Sequence, residues 1–264
     1  MSVARREEYQ EIFKARGHLY NEAGSQCPEA REAERAALID RLAPSTGEII
    51  VDAPAGGGYP ADGLRRRLGD AVRVICVEPA EHFGAAIQPV FEKRHEPVDR
   101  TSLAFDSVDA VASLAGLHHF CDKGTVYQEW WRIITPGGRL VIADVQAATP
   151  TAEFLNVFVH ENTPGGHEGF FVQPGEWSRD LVDAGFVVVS EELLSVPWRY
   201  PDRLTMEKLC HRLFGVSKTD SQSTGRAIDT ILGATSDASG GCKMEWQLRY
   251  ASAFKPVSAP PTPS

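Results

Sequence analysis

Glu48-Ile49-Ile50-Val51-Asp52-Ala53-Pro54-Ala55-Gly56-Gly57-Gly58 sets a short β-branched run directly before a glycine-rich turn. The run predicts a buried strand, and the glycines predict a turn with unusual backbone angles at its carboxyl end. Downstream, the pattern predicts a helix over 62–68, a strand over 72–77 ending on Glu78-Pro79, and a helix over 80–94. A strand over 108–117, a helix over 123–134 and a strand over 139–145 follow, the last after Pro136-Gly137-Gly138. Repeated strand–helix units with continuous apolar strands predict a parallel sheet covered on both faces. Upstream, 5–42 reads as helical, with Tyr9, Ile12, Phe13, Ala36, Leu38, Ile39 and Leu42 at helix-like spacings, until 44–47 stops it. Beyond 145 the rhythm changes: a helix over 175–184, a strand from 186, a long segment over 201–241 and a last strand over 245–254 predict a mixed sheet edge. The Pro/Ser/Thr-rich stretch 257–264 reads as a disordered tail.

Composition narrows the partners. The chain has 264 residues and a net charge of −9, from 27 basic and 36 acidic residues. Such a surface repels phosphate backbones and anionic headgroups, so neither nucleic acid nor a membrane is an expected partner. The five cysteines form no CxxC pair and no zinc-like spacing, which reads as reduced thiols in a cytoplasmic protein. Charge replaces the apolar core of a signal peptide near the N-terminus, and no run reaches the ~20 apolar residues of a membrane span.

In an open α/β sheet, ligands sit beyond the carboxyl ends of the strands where strand order reverses. Gly56, Gly58 and Ala61 fit the G-x-G-x-x-A pattern, with Glu78 about twenty residues on, as a nicotinamide site would have them. Asp52 argues otherwise, because a carboxylate beside this loop is unhelpful to a pyrophosphate. A ligand with a free amine, a positive charge and a ribose diol suits Asp52 and Glu78 better, and S-adenosylmethionine (SAM) is such a ligand. Asp52 as a plain helix N-cap and Glu78 as an exposed strand-end acid are the bland alternatives.

The motifs then become specific. Val51 to Gly58 resembles the D-x-G-x-G-x-G loop of class I SAM-dependent methyltransferases, in the branch of ubiquinone/menaquinone biosynthesis. Val77-Glu78-Pro79 resembles the ribose-binding acid, Asp99 to Phe105 the adenine segment, and Ile134 to Leu140 the L-x-P-G-G-x-L hairpin. The departure is Pro54 in place of the first loop glycine, which fixes φ and removes an N–H. The resemblance implies a Rossmann-like, doubly wound, mostly parallel seven-stranded α/β sheet with one antiparallel edge strand. It also implies an N-terminal helical cap over 1–44 and a SAM-binding domain over 45–256, with lid insertions at 149–174 and 201–241. The implied cofactor residues are Asp52, Ala53, Pro54, Gly56, Gly58, Glu78, Pro79, Asp99, Arg100, Thr101 and Ala115.

The implied reaction is methyl transfer to oxygen or carbon of a small, fairly apolar metabolite, with a histidine removing a proton. His119, at the end of the fourth strand, is the first candidate base, and His160 and His167 follow it. Tyr20, Phe154, Phe158 and Phe171 are the candidate substrate contacts, and Asp109 reads as structural. No metal is expected: relatives with a Glu-x-x-Glu-His set have two carboxylates where this chain has Ala115 and His118. A SAM-binding protein that does not methylate (a cyclase, an eliminase or a non-catalytic subunit) is the alternative, and a nicotinamide oxidoreductase is third. A homodimer is left open.

Overall fold

The computed structural model describes residues 3–257, with side chains from Tyr9 onward except at positions 12 and 15. The Ile12 side chain and the tail beyond 257 lie outside the described residues. Helices α1 (Val3–Gln26) and α2 (Glu32–Leu42) precede β1 (Ile49–Asp52). Cys27-Pro28 separates them, since proline cannot continue a helix. Then come α3 (Tyr59–Leu68), β2 (Arg73–Val77), α4 (Glu81–Gly84), β3 (Glu92–Arg94), β4 (Val108–Leu114), α5 (Gly124–Ile133) and β5 (Ile134–Asp144). Next is α6 (Pro150–Glu153), which runs through a π-helical stretch (Phe154–Val159) into α7 (His160–Asn162). The chain finishes with α8 (Glu176–Asp183), β6 (Val187–Ser195), β7 (Trp198–Tyr200), α9 (Arg203–Leu213), α10 (Ser221–Ala227), β8 (Ala234–Ser236), β9 (Cys242–Met244) and β10 (Gln247–Phe254).

Seven strands form one sheet in the order β3-β2-β1-β4-β5-β10-β6. β1 pairs parallel with β2 on one side and with β4 on the other, so strand order reverses between β1 and β4. That reversal opens the ligand crevice, framed by the loop after β1 and the turn after β4. The expected antiparallel strand is β10, and its place differs from the expectation. It runs antiparallel to both β5 and β6, so β6 holds the edge and β10 lies one strand in. Leu248 and Tyr250 are buried on one face of β10 and Ala251 and Ala253 on the other, which suits an inner strand.

Two local expectations are corrected. The helix over 80–94 is only the four-residue α4, because Pro89 interrupts the pattern and 92–94 pairs with β2 as the edge strand β3. The 201–241 segment, read as one lid insertion, holds α9 and α10 and also β8, which joins β7 and β9 in a second, three-stranded sheet. Asp109 is structural: its Oδ2 accepts from the Ile49 N–H at 2.8 Å, pinning β4 to the start of β1.

Candidate functional site

The loop after β1 packs against the turn after β4. Gly56 and Gly58 have φ of +53° and +86°, angles that a side chain disfavours. Gly116 makes room for Pro54, since a Cβ there would come within 2.4 Å of the proline ring. Gly57 does the same for α1, since its Cβ would meet the Asn21 amide oxygen at 2.3 Å. Asn21 in turn donates to the Phe83 carbonyl at 3.0 Å. Positions 9, 13, 16 and 20 follow helical spacing, so α1 lays Tyr9, Phe13, Arg16 and Tyr20 along one wall of a cavity of about 320 Å³. Phe13 stacks on Phe83 with centroids 4.4 Å apart.

The turn after β4 carries a histidine group, with His119 edge-on to Tyr9 and Phe13 of α1. His118 is buried, and its Nδ1 lies 2.6 Å from Asp144 Oδ1 at the end of β5. Asp144 also accepts from the His118 and Val145 backbone N–H groups, so the carboxylate is fixed on three sides. An acceptor-only carboxylate assigns the proton to Nδ1, which leaves Nε2 as the free lone pair of a residue lining the cavity. His119 and His167 line the same cavity, their ring centroids 4.2 and 5.5 Å from that of His118. Burial holds His119 well below the ordinary histidine value, and burial brings His167 down to about 3, with His118 and Arg16 adding to both. Ligand atoms of His118, His119 and His167 lie within 4.8 Å of one another.

The expected site residues divide into three groups. His119, His167, Tyr20, Pro54, Gly56 and Ala115 line the cavity. Asp52, Glu78, Asp99, Arg100 and Thr101 lie outside the cavity lining. Asp52 is fully buried and accepts from the Ala61 N–H at 3.2 Å, while its other oxygen has no partner. Glu78 accepts from Ala80 and Gly56 N–H groups, both at 2.8 Å, and from the Tyr9 hydroxyl at 3.2 Å. Burial raises its carboxyl to about 7, opposed by those hydrogen bonds. Thr101 is tied to Glu129 through both its N–H and its hydroxyl. Ala53 extends the β1–β4 pairing, Gly58 caps α3, and the Pro79 carbonyl accepts from Gln10.

The third group is structural in position. His160 lies outside the cavity, where its Nδ1 accepts from the His167 N–H and braces the turn before it. Phe154 is fully buried, stacked on Phe158 and edge-on to Phe214, because the helix spacing that aligns 154 and 158 faces them inward. Phe171 sits beside His118 and His167 at centroid distances of 5.7 and 6.1 Å, behind the lining. Three groups escaped sequence reasoning: the His118–Asp144 pair, Arg16, and the aromatic wall of Trp198, Phe214 and Trp246. The acid ending the β5 run was a visible signal for the first. The aromatics come from 198–246 and reach the cavity only through the second sheet and α9.

Comparison with known proteins agrees with this architecture. Residues 51–142 match the methyltransferase domain family. The methyltransferase GfsG of Streptomyces halstedii is 32% identical over 124 residues, 44% of this chain and 45% of that protein. The O-methyltransferase resE of Aspergillus sclerotiorum is 29% identical over 163 residues, 56% of this chain and 58% of that protein. The matches thus span about half the length of these curated relatives. Geranyl diphosphate C-methyltransferase from Streptomyces coelicolor A3(2) superposes with a TM-score of 0.59 at 16% identity, covering 89% of this chain and 83% of that one, a likeness of fold. Among the described residues, no helix is long and apolar enough to cross a membrane. With the β1 and β4 loops meeting at the strand-order reversal and the match covering both, residues 51–142 form a methyltransferase domain within a Rossmann-like methyltransferase fold.

Proposed function

We propose that this chain transfers a methyl group from SAM to the oxygen or carbon of a small, fairly apolar metabolite. The single observation that carries the reading is one cavity lined both by the glycine loop and by His118, whose ring Asp144 orients. When bound, SAM supplies a methyl group on an already activated sulfonium.

The residues present suit that cofactor. Gly56 lines the cavity, Glu78 retains acceptor capacity for a diol, and the Asp52 oxygen without a partner among the described residues is a buried acceptor behind the loop. Asp52 and Glu78 would hold the amine and ribose ends, and the Asp99–Thr101 segment the adenine. Tyr9 must yield part of its hold on Glu78, since its hydroxyl lies on the same oxygen that the Gly56 N–H uses. The protein's own work is alignment, exclusion of water by α1 and the aromatic wall, and proton removal. His118 is the better base than His119, because Asp144 both orients its ring and stabilises its protonated form. His119 has no such carboxylate and is held neutral.

Incubation with SAM and candidate acceptors should release S-adenosylhomocysteine one-for-one with a methylated product. Release without methylation would indicate elimination, and acceptor turnover without release a cyclase, either of which overturns the reading.

Glu78 predicts a pH dependence. Diol hydrogen bonds favour the ionised carboxyl, and Glu78 is largely protonated below about 7. S-adenosylhomocysteine affinity should therefore be level above pH 7 and fall below it, by up to about tenfold per pH unit. The sign for stability is opposite. A raised carboxyl pKa contributes stability that is complete below the ordinary carboxyl value and lost as pH rises through about 7. Calorimetric titration across pH 5.5–8 tests the first, and Glu78→Gln should flatten the profile. Glu78→Ala at pH 8 should weaken binding roughly 10–150-fold, the loss of about 1.5–3 kcal/mol for a charged hydrogen bond.

A further inference from the structure

Arg16 stands out among the buried or half-buried arginines. Arg31, Arg35, Arg132, Arg139 and Arg249 each meet a carboxylate, from Glu34, Glu32, Glu129, Glu48 and Glu191 respectively. Among the described residues Arg16 meets none, and its single hydrogen bond runs from Nη2 to the Phe214 carbonyl at 2.5 Å. A guanidinium has five donors; one is spent on Phe214 and its Nε edge lies over Gly215, and the residue lines the cavity. Withdrawing an unpaired charge from water is costly, and burial already weakens its hold on its proton. This happens in a chain of net charge −9, where carboxylates are plentiful. Yet Glu168, exposed at the rim, is the one carboxylate on the described lining.

The same wall bears on the kind of ligand. His119 and His167 are neutral hydrogen-bonding groups beside this cation. A metal ion in the histidine cluster would face the Arg16 charge, whereas an anion would be attracted by it and hydrogen-bonded by the imidazoles. Aromatic and aliphatic side chains (Phe13, Tyr20, Leu155, Leu213, Phe214) make up much of the remaining lining.

We infer that Arg16 is the specificity residue for an acceptor carrying an acidic oxygen (a phenol, enol or carboxylic acid), held in the cavity as its oxyanion against Arg16, His119 and His167. This rests on the methyltransferase reading above and narrows its acceptor. The acceptor proton goes to His118 Nε2. The oxyanion lone pair then forms the O–CH3 bond while the S–CH3 pair returns to sulfur, so the oxyanion and sulfonium charges cancel. Arg16 binds and positions; it does not exchange a proton.

The test uses the 264-residue chain saturated with S-adenosylhomocysteine and 4-nitrophenol as probe, with 4-nitroanisole as its neutral counterpart. Calorimetry gives affinities, and the visible phenolate band reports ionisation of the bound probe. Nitrophenol is expected to bind at least tenfold more tightly than nitroanisole, and as phenolate at a pH where the free phenol is mostly protonated. Arg16→Gln should lose at least tenfold in nitrophenol affinity together with the phenolate band, and Arg16→Lys should retain part of both. Unchanged S-adenosylhomocysteine affinity in each variant shows that the fold is kept. Equal binding of the two probes, no saturable nitrophenol binding, or an indifferent Arg16→Gln overturns the inference. So does stoichiometric zinc uptake that His119→Ala and His167→Ala abolish, which would make the cluster a cation site. Failure to bind S-adenosylhomocysteine at the outset would instead strike the methyltransferase reading itself.

Discussion

Replacing His118 by alanine is expected to lower kcat roughly 10²- to 10⁴-fold, the usual contribution of a positioned base. Cofactor affinity should stay near that of the unmodified chain, because among the described residues His118 makes no hydrogen bond to the glycine loop or to Glu78 and is held by Asp144 instead. The magnitude follows from orientation. Asp144 is 2% exposed and holds Nδ1 at 2.6 Å, so the ring enters the reaction in one tautomer. Asp144→Asn should therefore lose at least tenfold in kcat, because a neutral amide neither fixes that tautomer nor stabilises the protonated ring. His160→Ala, whose ring braces the turn outside the cavity, should change kcat less than either. Single-turnover methyl transfer with a fixed acceptor separates these effects from product release. Full activity in His118→Ala would leave alignment alone as the source of catalysis and remove the base from the mechanism.

Glu34→Ala is expected to be the most damaging single change to stability at this end of the molecule, at about 3–5 kcal/mol. Glu34 is fully buried; one oxygen accepts from Arg31 Nε at 2.5 Å and the other from the Trp198 indole N–H at 3.0 Å. Its removal strands the Arg31 guanidinium among the rings of Tyr20, Tyr59 and Trp198, 5.0–5.5 Å from each centroid. It also leaves the indole donor of a buried tryptophan unpaired. For a chain of this size the loss corresponds to a melting temperature lower by roughly 6–20 °C. Glu34→Gln keeps an acceptor for Trp198 and should cost about half as much, mostly from the lost charge. Thermal unfolding of the two variants side by side checks the ranking. Equal and small losses would mean that the pair is solvated in a way its burial denies.

The glycine-loop part of the candidate site was legible in the local sequence because it is built from contiguous residues. Asp52 to Gly58 form a tight strand-to-helix turn, and glycine takes the positive φ values found at 56 and 58 without strain. Glu78 ends the next strand, so topology alone brings it beside that turn. The acceptor half was less legible because its groups come from distant segments. His118 and Asp144 meet since β4 and β5 are neighbours in register, Leu114 opposite Ala143. His119 was placed at the end of the fourth strand, but the chain leaves β4 at Leu114 and turns through a 3₁₀ segment, in which His118 meets Asp144.

By itself the sequence determined the α/β class, the parallel sheet and the place of the glycine loop. These follow from hydrophobic periodicity and turn chemistry, which are properties of adjacent residues. Only the tertiary structure decided where β10 inserts, that Phe154 and Phe158 belong to the core, and that Tyr9 seals Glu78. It alone decided, too, that Arg16 faces three histidines with no carboxylate of its own among the described residues. Burial and electrostatic pairing depend on which surfaces meet across long stretches of chain, and no local spacing encodes that.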